Sequence, residues 1–386
     1  MVIVLWILVS GLHVGVPLAY FTLIGRLGSR RTYGIKVDSA EQPNVTVLIP
    51  TYNEVSVIGG KLRNIAQGDY PTDKIEIVIV DGGSADNTAE IARNLLKVNG
   101  LRGTVLEERE RTGKSTGLNL GLKYASGDLV CISDAECIWD KAALRNAVKY
   151  FADPSVGSVS GIHGTSQSQT TLTEDVESSY RSIYRRLRIA ESKIQSTPIA
   201  EGEILVFRRE QFTGFDPKVG GDDTCAALCM VEKGFRAISA EDVLFYEPVP
   251  LDWRPRFSQK IRRGQHVLQA FLKHKGIVRR RGFFSRVIFP MEFFLYAINP
   301  VLFVPFLVLT IWATVSNLPV LLAASAGLIV TLASSPVRRL AATYISNNIT
   351  MLGALVQETR GEKQLTWKKI VENRRGITLG QGPEQR

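Results

Sequence analysis

The chain has 386 residues, with 47 Lys and Arg against 37 Asp and Glu and a formal net charge of +10. Apolar residues make up 45% and charged residues 22%, which excludes an intrinsically disordered chain, a collagen and a simple coiled coil. A mean hydropathy of +0.05 lies between soluble and wholly membrane-embedded proteins, and the positive balance points to an anionic partner such as lipid headgroups, phosphates or nucleic acid.

In chain order, the segment from Met1 to Gly25 carries no charge and is long enough to cross about 30 Å of hydrocarbon as a helix. It lacks the basic start and small-residue cleavage site of a secretory signal, so an uncleaved transmembrane helix is expected over 1–26. Arg26, Arg30 and Arg31 follow and place that flank in the cytosol. A catalytic domain is expected over 40–250. Val45–Ile49, Ile75–Val80 and Leu129–Ser133 are short, β-branched runs that end in polar loops, as buried parallel strands do. Between the first two, 55–66 has helical spacing, with Val55, Ile58, Leu62 and Ile65 on one face. A second helix is expected over 89–98 and another over 174–194. This alternation predicts a doubly wound α/β sheet, whose ligands sit at the carboxyl ends of the strands.

Acids collect at those ends: Glu54, then Asp81 and Asp86, then Asp134 and Glu136, and much later Asp222 and Asp223. One such acid could simply cap the next helix, and Asp86 is read that way. Capping alone does not account for all four groups. On an extended backbone Asp134 and Glu136 point to the same side, and such a pair suits Mg or Mn, which bind one or two carboxylates plus substrate phosphates. The four cysteines, Cys131, Cys137, Cys225 and Cys229, form no CxxC pair and are expected to be free thiols in a reducing compartment. Thr112–Thr116 carries a Gly-Lys-Ser, but Glu108 stands where a P-loop needs its first glycine.

Ten Lys or Arg and no acid lie between Arg254 and Arg281, with Val267, Leu268, Phe271 and Leu272 interleaved. Basic amphipathic helices on an anionic lipid surface are expected over 251–286, and no nucleic-acid partner beside so much membrane. Glu292 is the sole charge from Val287 to Val337, where two transmembrane helices are expected. Over 338–386 the expectation is an interfacial helix along 340–357, then a basic cytosolic tail. His13 is read as a packed residue of the first span.

Val47-Leu-Ile-Pro-Thr-Tyr-Asn-Glu54, Val80-Asp-Gly-Gly-Ser84, Arg111-Thr-Gly-Lys114, Asp134-x-Glu136 and Gly221-Asp-Asp223 resemble the ordered motifs of glycosyltransferase family 2, and Gln259-Lys-Ile-Arg-Arg263 resembles the Q-x-x-R-W motif of its cellulose-synthase-like branch. The resemblance runs over about 40–285. It implies a GT-A-type, Rossmann-like mixed sheet flanked by helices, and metal-dependent, inverting transfer of a hexose from a nucleoside diphosphate sugar. By it, Pro50, Tyr52 and Glu54 border the nucleoside, Asp81 contacts the base and Lys114 the nucleotide. Asp134 and Glu136 hold Mg or Mn on the diphosphate, Gln259, Arg262 and Arg263 close over it, and Asp223 is the general base. Glu201, Gly202 and Asp222 fall among the acceptor-contacting positions.

Two departures matter. Glu136 stands where an aspartate is common, and Arg263 replaces the tryptophan that stacks on a growing polymer in processive members. With about three spans, the chain is too small to enclose a polysaccharide channel, so transfer of one or few sugars to a membrane-held acceptor is expected. The implied enzyme is integral to the cytoplasmic membrane with its catalytic domain in the cytosol. Its acceptor is a lipid-linked glycan and its donor GDP-mannose, with a UDP-hexose as runner-up. The competing readings are a UDP-sugar-dependent polysaccharide synthase, a polyprenyl-phosphate glycosyltransferase, and a non-catalytic nucleotide-sugar-binding scaffold.

Overall fold

The protein is represented by a computed structural model that describes residues 2–164, 172–247 and 253–362. The basic tail expected after 362 lies outside the described residues. Strands β1 (Val45–Thr51), β2 (Ile75–Asp81), β3 (Gly103–Glu107), β4 (Leu129–Ile132), β5 (Ile138–Trp139), β6 (Val156–His163), β7 (Leu205–Arg208) and β8 (Arg236–Tyr246) form one sheet in the order β3-β2-β1-β4-β7-β6-β8-β5. The first four strands are mutually parallel. β7 runs antiparallel between β4 and β6, β6 and β8 are parallel, and β5 closes the far edge antiparallel to β8. The sheet is therefore mixed, and β1, β2 and β4 of its parallel half are the strands that the sequence periodicity predicts, while β3 is an addition.

Helices cover both faces, which is why the strands are apolar throughout rather than alternating. Val47, Ile49, Ile77 and Ile79 point to one face, under α2 (Val55–Ala66) and α3 (Thr88–Val98). Leu48, Val78, Val80 and Val130 point to the other, under α4 (Lys114–Tyr124) and α7 (Asp222–Glu232). Here α1 is Val2–Ser29, α5 is Ala143–Val148 and α6 is Leu172–Ile194. One expected core position fails. Val55 is 36% exposed while Val57 is buried, because Val55 opens the helix at the sheet edge, where Asp86 Oδ2 accepts its backbone N–H.

The remaining helices are α8 (Trp253–Lys273), α9 (Phe284–Ser316), α10 (Leu318–Ala333) and α11 (Ser335–Thr359). Among the described residues two helices, α1 and α9, are long and apolar enough to cross a membrane, and α10 and α11 together form a bent pair that turns through 109°. Ile7, Leu8, Leu18, Val308, Ile311, Leu322 and Ile329 are among many large apolar side chains exposed on α1, α9 and α10. A soluble surface does not carry a continuous patch of that size, whereas lipid tails cover it without cost. Between the spans, Trp6 Nε1 donates to Thr310 Oγ1 (3.0 Å), and His13 Nδ1 lies 2.9 Å from Asn299 Oδ1 with Tyr344 on its other ring nitrogen. His13 is thus a packed, hydrogen-bonded residue.

The apolar stripe of α8 corrects a sequence expectation. Leu268 and Phe271 are buried, not lipid-facing, and pack among Phe289, Tyr296 and Met351 of α9 and α11. The stripe holds the sheet domain to the apolar helices from inside. In α11 the polar residues Thr343, Ser346, Asn348 and Thr350 are buried toward α6 and α8, while Leu340, Ile345, Ile349 and Val356 are exposed. That accounts for an uncharged stretch rich in Ser, Asn and Thr: one face meets protein, the other apolar surroundings.

The helix α1 meets α6 at Gly28, where an added Cβ would lie 2.5 Å from Ala190 Cα. Replacement Gly28→Val should therefore push α1 off α6 and destabilise the fold by about 2 kcal/mol. Thermal unfolding of the detergent-solubilised protein reads this directly, and an unchanged midpoint would mean that the two helices separate freely.

Candidate active site

The loops after β1 and β2 are latched to each other. Thr51 Oγ1 donates to Asp81 Oδ1 (2.9 Å), Ser84 Oγ donates to the same oxygen (2.6 Å), and Ser84 N–H donates to Asp81 Oδ2 (2.8 Å). Ser84 Oγ in turn accepts the N–H of Asn53, which has φ +55°. Asp86 accepts from Thr88 at the start of α3 and from Val55 at the start of α2, so it caps helices as its position suggested. Asp81 is 1% exposed, and its carboxylate is engaged in organising the loop. Tyr52 carries the Arg111 guanidinium 4.0 Å from its ring centroid, within cation–π range.

The other three acidic groups converge on one cavity of about 620 Å³. Its walls include Pro50, Glu54, Lys114, Asp134 and Glu136 from the parallel strand ends, then Glu201, Gly202, Asp222 and Asp223, and finally Gln259, Arg262 and Arg263 of α8. Tyr52 and Asp81 are not on that wall. The residues Asp134–Glu136 do not continue β4 as an extended segment. They form a turn in which Cys137 N–H reaches Asp134 O (3.4 Å). Both side chains nonetheless face the cavity. Two residues of α2 hold this turn. Lys61, fully buried, donates from Nζ to Cys137 O (3.1 Å), and Asn64 bonds both the N–H and the C=O of Trp139.

Lys114, at the start of α4, is the centre of the site's electrostatics. Its Nζ lies 2.9 Å from Asp134 Oδ1 and 3.2 Å from Asp222 Oδ2. Burial pushes its pKa down, but Asp134, Asp222 and Asp223 more than reverse that, so the net shift is upward and the ammonium stays charged. Asp223 moves the opposite way. Burial and the neighbouring Asp222 raise its pKa to about 6 against the pull of Lys114. A carboxylate poised there suits proton abstraction near neutral pH. Gly220 and Gly221 make its position possible. Gly221 has φ +68°, and a Cβ on Gly220 would fall 2.1 Å from the His266 ring of α8. Only glycine lets the loop that carries both aspartates lie against α8.

Arg262 and Arg263 are adjacent but differently placed. Burial and Arg263 lower the pKa of Arg262 to about 10, offset by Asp134, Asp222 and Asp223, so it remains a cation facing the acidic half. Arg263 instead lies 3.3 Å from both Glu203 Oε1 and Glu247 Oε2. Arg181 Nη2 donates to Glu247 Oε1 (2.6 Å). Burial and Glu247 raise the pKa of Glu203 well above the carboxylate range, while Arg263 and Arg181 overcome burial at Glu247 and hold it below. The two carboxyls are thus pushed apart, Glu203 toward the neutral form and Glu247 toward the ionised one, as close carboxyls are. Sequence reasoning did not single out Glu247, Arg181, Arg188 or His266. The Gly220-Gly221 pair was the one local signal for His266. Nothing local marks the other three, which join the site only through tertiary packing.

Among the described residues no group of three or more His, Cys, Asp or Glu is placed to hold a metal by itself. Asp134 and Glu136 offer at most two carboxylates, which is the donor set of a hard cation that completes its shell with phosphate oxygens and water.

Comparison with known proteins bears on this geometry. Residues 46–214 match the model for Glycosyl transferase family 2. Two curated relatives are the probable glycosyltransferase YdaM of Bacillus subtilis, 28% identical over 66% of this chain and 62% of its own length, and the poly-beta-1,6-N-acetyl-D-glucosamine synthase of Staphylococcus aureus, 27% identical over 61% of this chain and 55% of its own length. The chain thus spans between 55% and 62% of these two relatives' lengths. Among solved structures, the mannosyltransferase PcManGT from Pyrobaculum calidifontis, in complex with GDP-Man and Mn2+, is similar at 33% identity and a TM-score of 0.80, covering 94% of this chain and 100% of that one.

The raised pKa of Asp223 has a thermodynamic consequence. The folded protein holds that proton more tightly than the unfolded chain, so the group's contribution is full at low pH and is lost as pH rises through about 6. Above that pH the ionised carboxylate strains the fold. Asp223→Asn should stabilise the ligand-free protein by about 1–2 kcal/mol at pH 8 and about half as much at pH 5. Thermal midpoints of both proteins at the two pH values check this; a gain that is the same at both would place the effect elsewhere.

Proposed function

The chain belongs to glycosyltransferase family 2, and from that premise we propose that it is a membrane-bound, inverting hexosyltransferase of GT-A type. It would move one sugar from a nucleoside diphosphate sugar to a hydroxyl of a lipid-linked glycan. GDP-mannose is the leading donor, because the similar Pyrobaculum calidifontis structure holds GDP-Man and Mn2+ over nearly the whole length of this chain. A UDP-hexose is the alternative donor, since a curated relative is an N-acetylglucosamine polymer synthase. The observation that carries the reading is the composition of one cavity: acids and Lys114 at the strand ends, arginines of α8 opposite, and Tyr296, Asn347, Thr350 and Met351 of the membrane-side helices in the same wall. An acceptor held in a membrane could reach the acids through that wall.

The chemistry follows from what each group can do. As the bond to the anomeric carbon breaks, negative charge grows on the diphosphate. Lys114, a charged ammonium, and the Arg262 guanidinium are preorganised to meet it. A bound Mg or Mn, with Asp134 and Glu136 as its protein ligands, would supply further charge neutralisation on those phosphates. Gln259 and Arg263, which line the same cavity, would contact that leaving group or the sugar beside it. The acceptor hydroxyl must lose its proton as it attacks the opposite face of the sugar. Asp223 takes that proton, a contribution of roughly 10²–10⁴-fold. Glu201, Gly202 and Asp222 border the approach and would orient the acceptor. Single displacement inverts the anomeric centre and needs no covalent nucleophile. Pro50, Tyr52, Glu54 and Asp81 would shape the nucleoside end, with Asp81 acting through the loop it organises. The catalytic face would lie on the cytosolic side of the membrane, where the arginines after α1 are expected.

Thermal stabilisation of the solubilised protein by GDP, UDP and ADP, each with and without Mn, tests the donor. The expected result is a shift with GDP that needs the metal; a shift with UDP alone would reassign the base, and none at all would sink the enzyme reading. Asp223→Asn should abolish transfer while leaving that nucleotide shift in place. Loss of both together would make Asp223 structural. EDTA should stop turnover, and full activity in its presence would remove the metal role from Asp134 and Glu136.

A further inference from the structure

The fold divides the basic run from Arg254 to Arg281. Arg256, Lys260, Arg262 and Arg263 of α8 line the cavity, and Lys273 is paired with Asp216 (3.1 Å). Past α8, Lys275, Arg279, Arg280 and Arg281 are exposed on the elbow that leads into α9. Arg286, in the first turn of α9, is exposed beside them and donates from Nε to Arg280 O (3.3 Å). A second basic segment, Arg26, Arg30 and Arg31, is exposed at the end of α1. The packing brings the two segments to one level. α1 and α9 run antiparallel, since Trp6 meets Thr310 and His13 meets Asn299. Thirteen residues beyond His13 stands Arg26, and thirteen before Asn299 stands Arg286. Both therefore lie roughly 20 Å further along the helix pair. The end of α6 joins the two segments: Gly28 packs on Ala190, and Gln195 Oε1 accepts the N–H of Phe284 (2.9 Å). Ile24, Ala190, Ile277 and Phe284 share one buried cluster beneath them.

The result is a collar of cations where α1 and α9 leave their apolar stretches. No acid occurs from Met1 to Val37 or from Trp253 to Met291, so neither segment neutralises itself. Leu23, Leu272, Val278 and Phe283 are exposed among the cations. Like charges gathered on one surface favour an anionic partner, and guanidinium groups match phosphate oxygens. Apolar side chains set among cations suit the boundary between lipid headgroups and acyl chains, whereas a water-soluble polyanion would leave them uncovered. The collar also continues the exposed apolar faces of α1 and α9. We propose that it is a binding surface for anionic phospholipid headgroups, with Leu23, Val278 and Phe283 seated among the upper acyl carbons. The surface that the sequence expectation assigned to α8 thus lies on the elbow and the end of α1. It fixes the height of the cavity over the leaflet through α6, whose Arg181, Arg185 and Arg188 line that cavity. This inference rests on the proposed membrane location and names the lipid class that holds the protein there.

The test purifies the full chain from mixed micelles holding phosphatidylcholine and phosphatidylglycerol in equal amounts, and quantifies the retained lipid by headgroup. Wild-type protein is expected to retain phosphatidylglycerol in preference by about fivefold, the weight of one cation at a charged lipid surface. The preference is expected to fall as salt is raised. The triple variant Arg279→Gln/Arg280→Gln/Arg281→Gln should bring the ratio close to equality. Arg26→Gln/Arg30→Gln/Arg31→Gln should lower it as well, although these residues are distant in sequence. Thermal midpoints and binding of GDP with Mn should stay unchanged in both, because the replaced side chains are exposed. A control, Lys97→Gln/Arg102→Gln/Lys123→Gln, removes the same charge around β2 and β3 and should keep the wild-type ratio. Equal retention of the two lipids by the wild-type protein would overturn the proposal, as would an unchanged ratio in both collar variants. A control variant that loses the preference as fully as they do would assign it to overall charge and overturn it too. Retention of neither lipid would overturn the membrane location and this surface with it; equal retention of both counts against this surface only.

Discussion

The site depends on one cation among carboxylates. Asp134, Asp222 and Asp223 arrive from the end of β4 and the start of α7, elements far apart in the chain, and without a counter-charge they would repel one another in a partly buried space. Lys114 supplies that charge from the first turn of α4. One ammonium therefore ties three elements together and sets two properties at once. It keeps itself protonated and it restrains, without cancelling, the rise in the pKa of Asp223. A carboxyl that titrates at about 6 arises from this balance of burial, like charge and opposite charge.

Around that centre, the acids divide by function according to what the backbone demands of them. Asp81 and Asp86 saturate the loop and helix ends they sit beside, and the cost of leaving those N–H groups unpaired explains why. Asp134, Glu136, Asp222 and Asp223 have fewer local donors to satisfy and face the cavity. The second carboxyl pair, Glu203 and Glu247, sits beside Arg263 and Arg181, with Glu203 pushed toward its neutral form and Glu247 toward its ionised one.

The membrane helices are part of the same structure, not a separate anchor. The apolar face of α8 is spent on α9 and α11, the small residue Gly28 lets α1 lie against α6, and α11 turns its Ser, Asn and Thr inward. The cavity is walled jointly by the sheet's carboxyl edge and by helices whose outer faces suit lipid.

Much of this was legible in the residues. Strand runs at 45–49 and 75–80, the helix over 55–66, the uncharged stretch to Gly25 and the acids at strand ends follow from period, length and local turn chemistry, all of which are properties of neighbouring residues. The resemblance to glycosyltransferase family 2 rested on motifs of the same local kind. Other features depend on distant parts of the chain and had no local mark. Whether the stripe of Leu268 and Phe271 meets lipid or protein was decided by α9 and α11. Whether Val55 or Val57 faces the core was decided by where α2 begins. Glu247, Arg181 and Arg188 enter the site only because β8 and α6 pack beside it. The sequence alone determined the sheet, the strand-end acids and the apolar spans, because backbone geometry and hydrophobic period act over a few residues. Only the tertiary structure decided which acids are consumed by the scaffold, which arginines share the cavity and which apolar faces are buried, because burial and electrostatic partners are set by residues far apart in the chain.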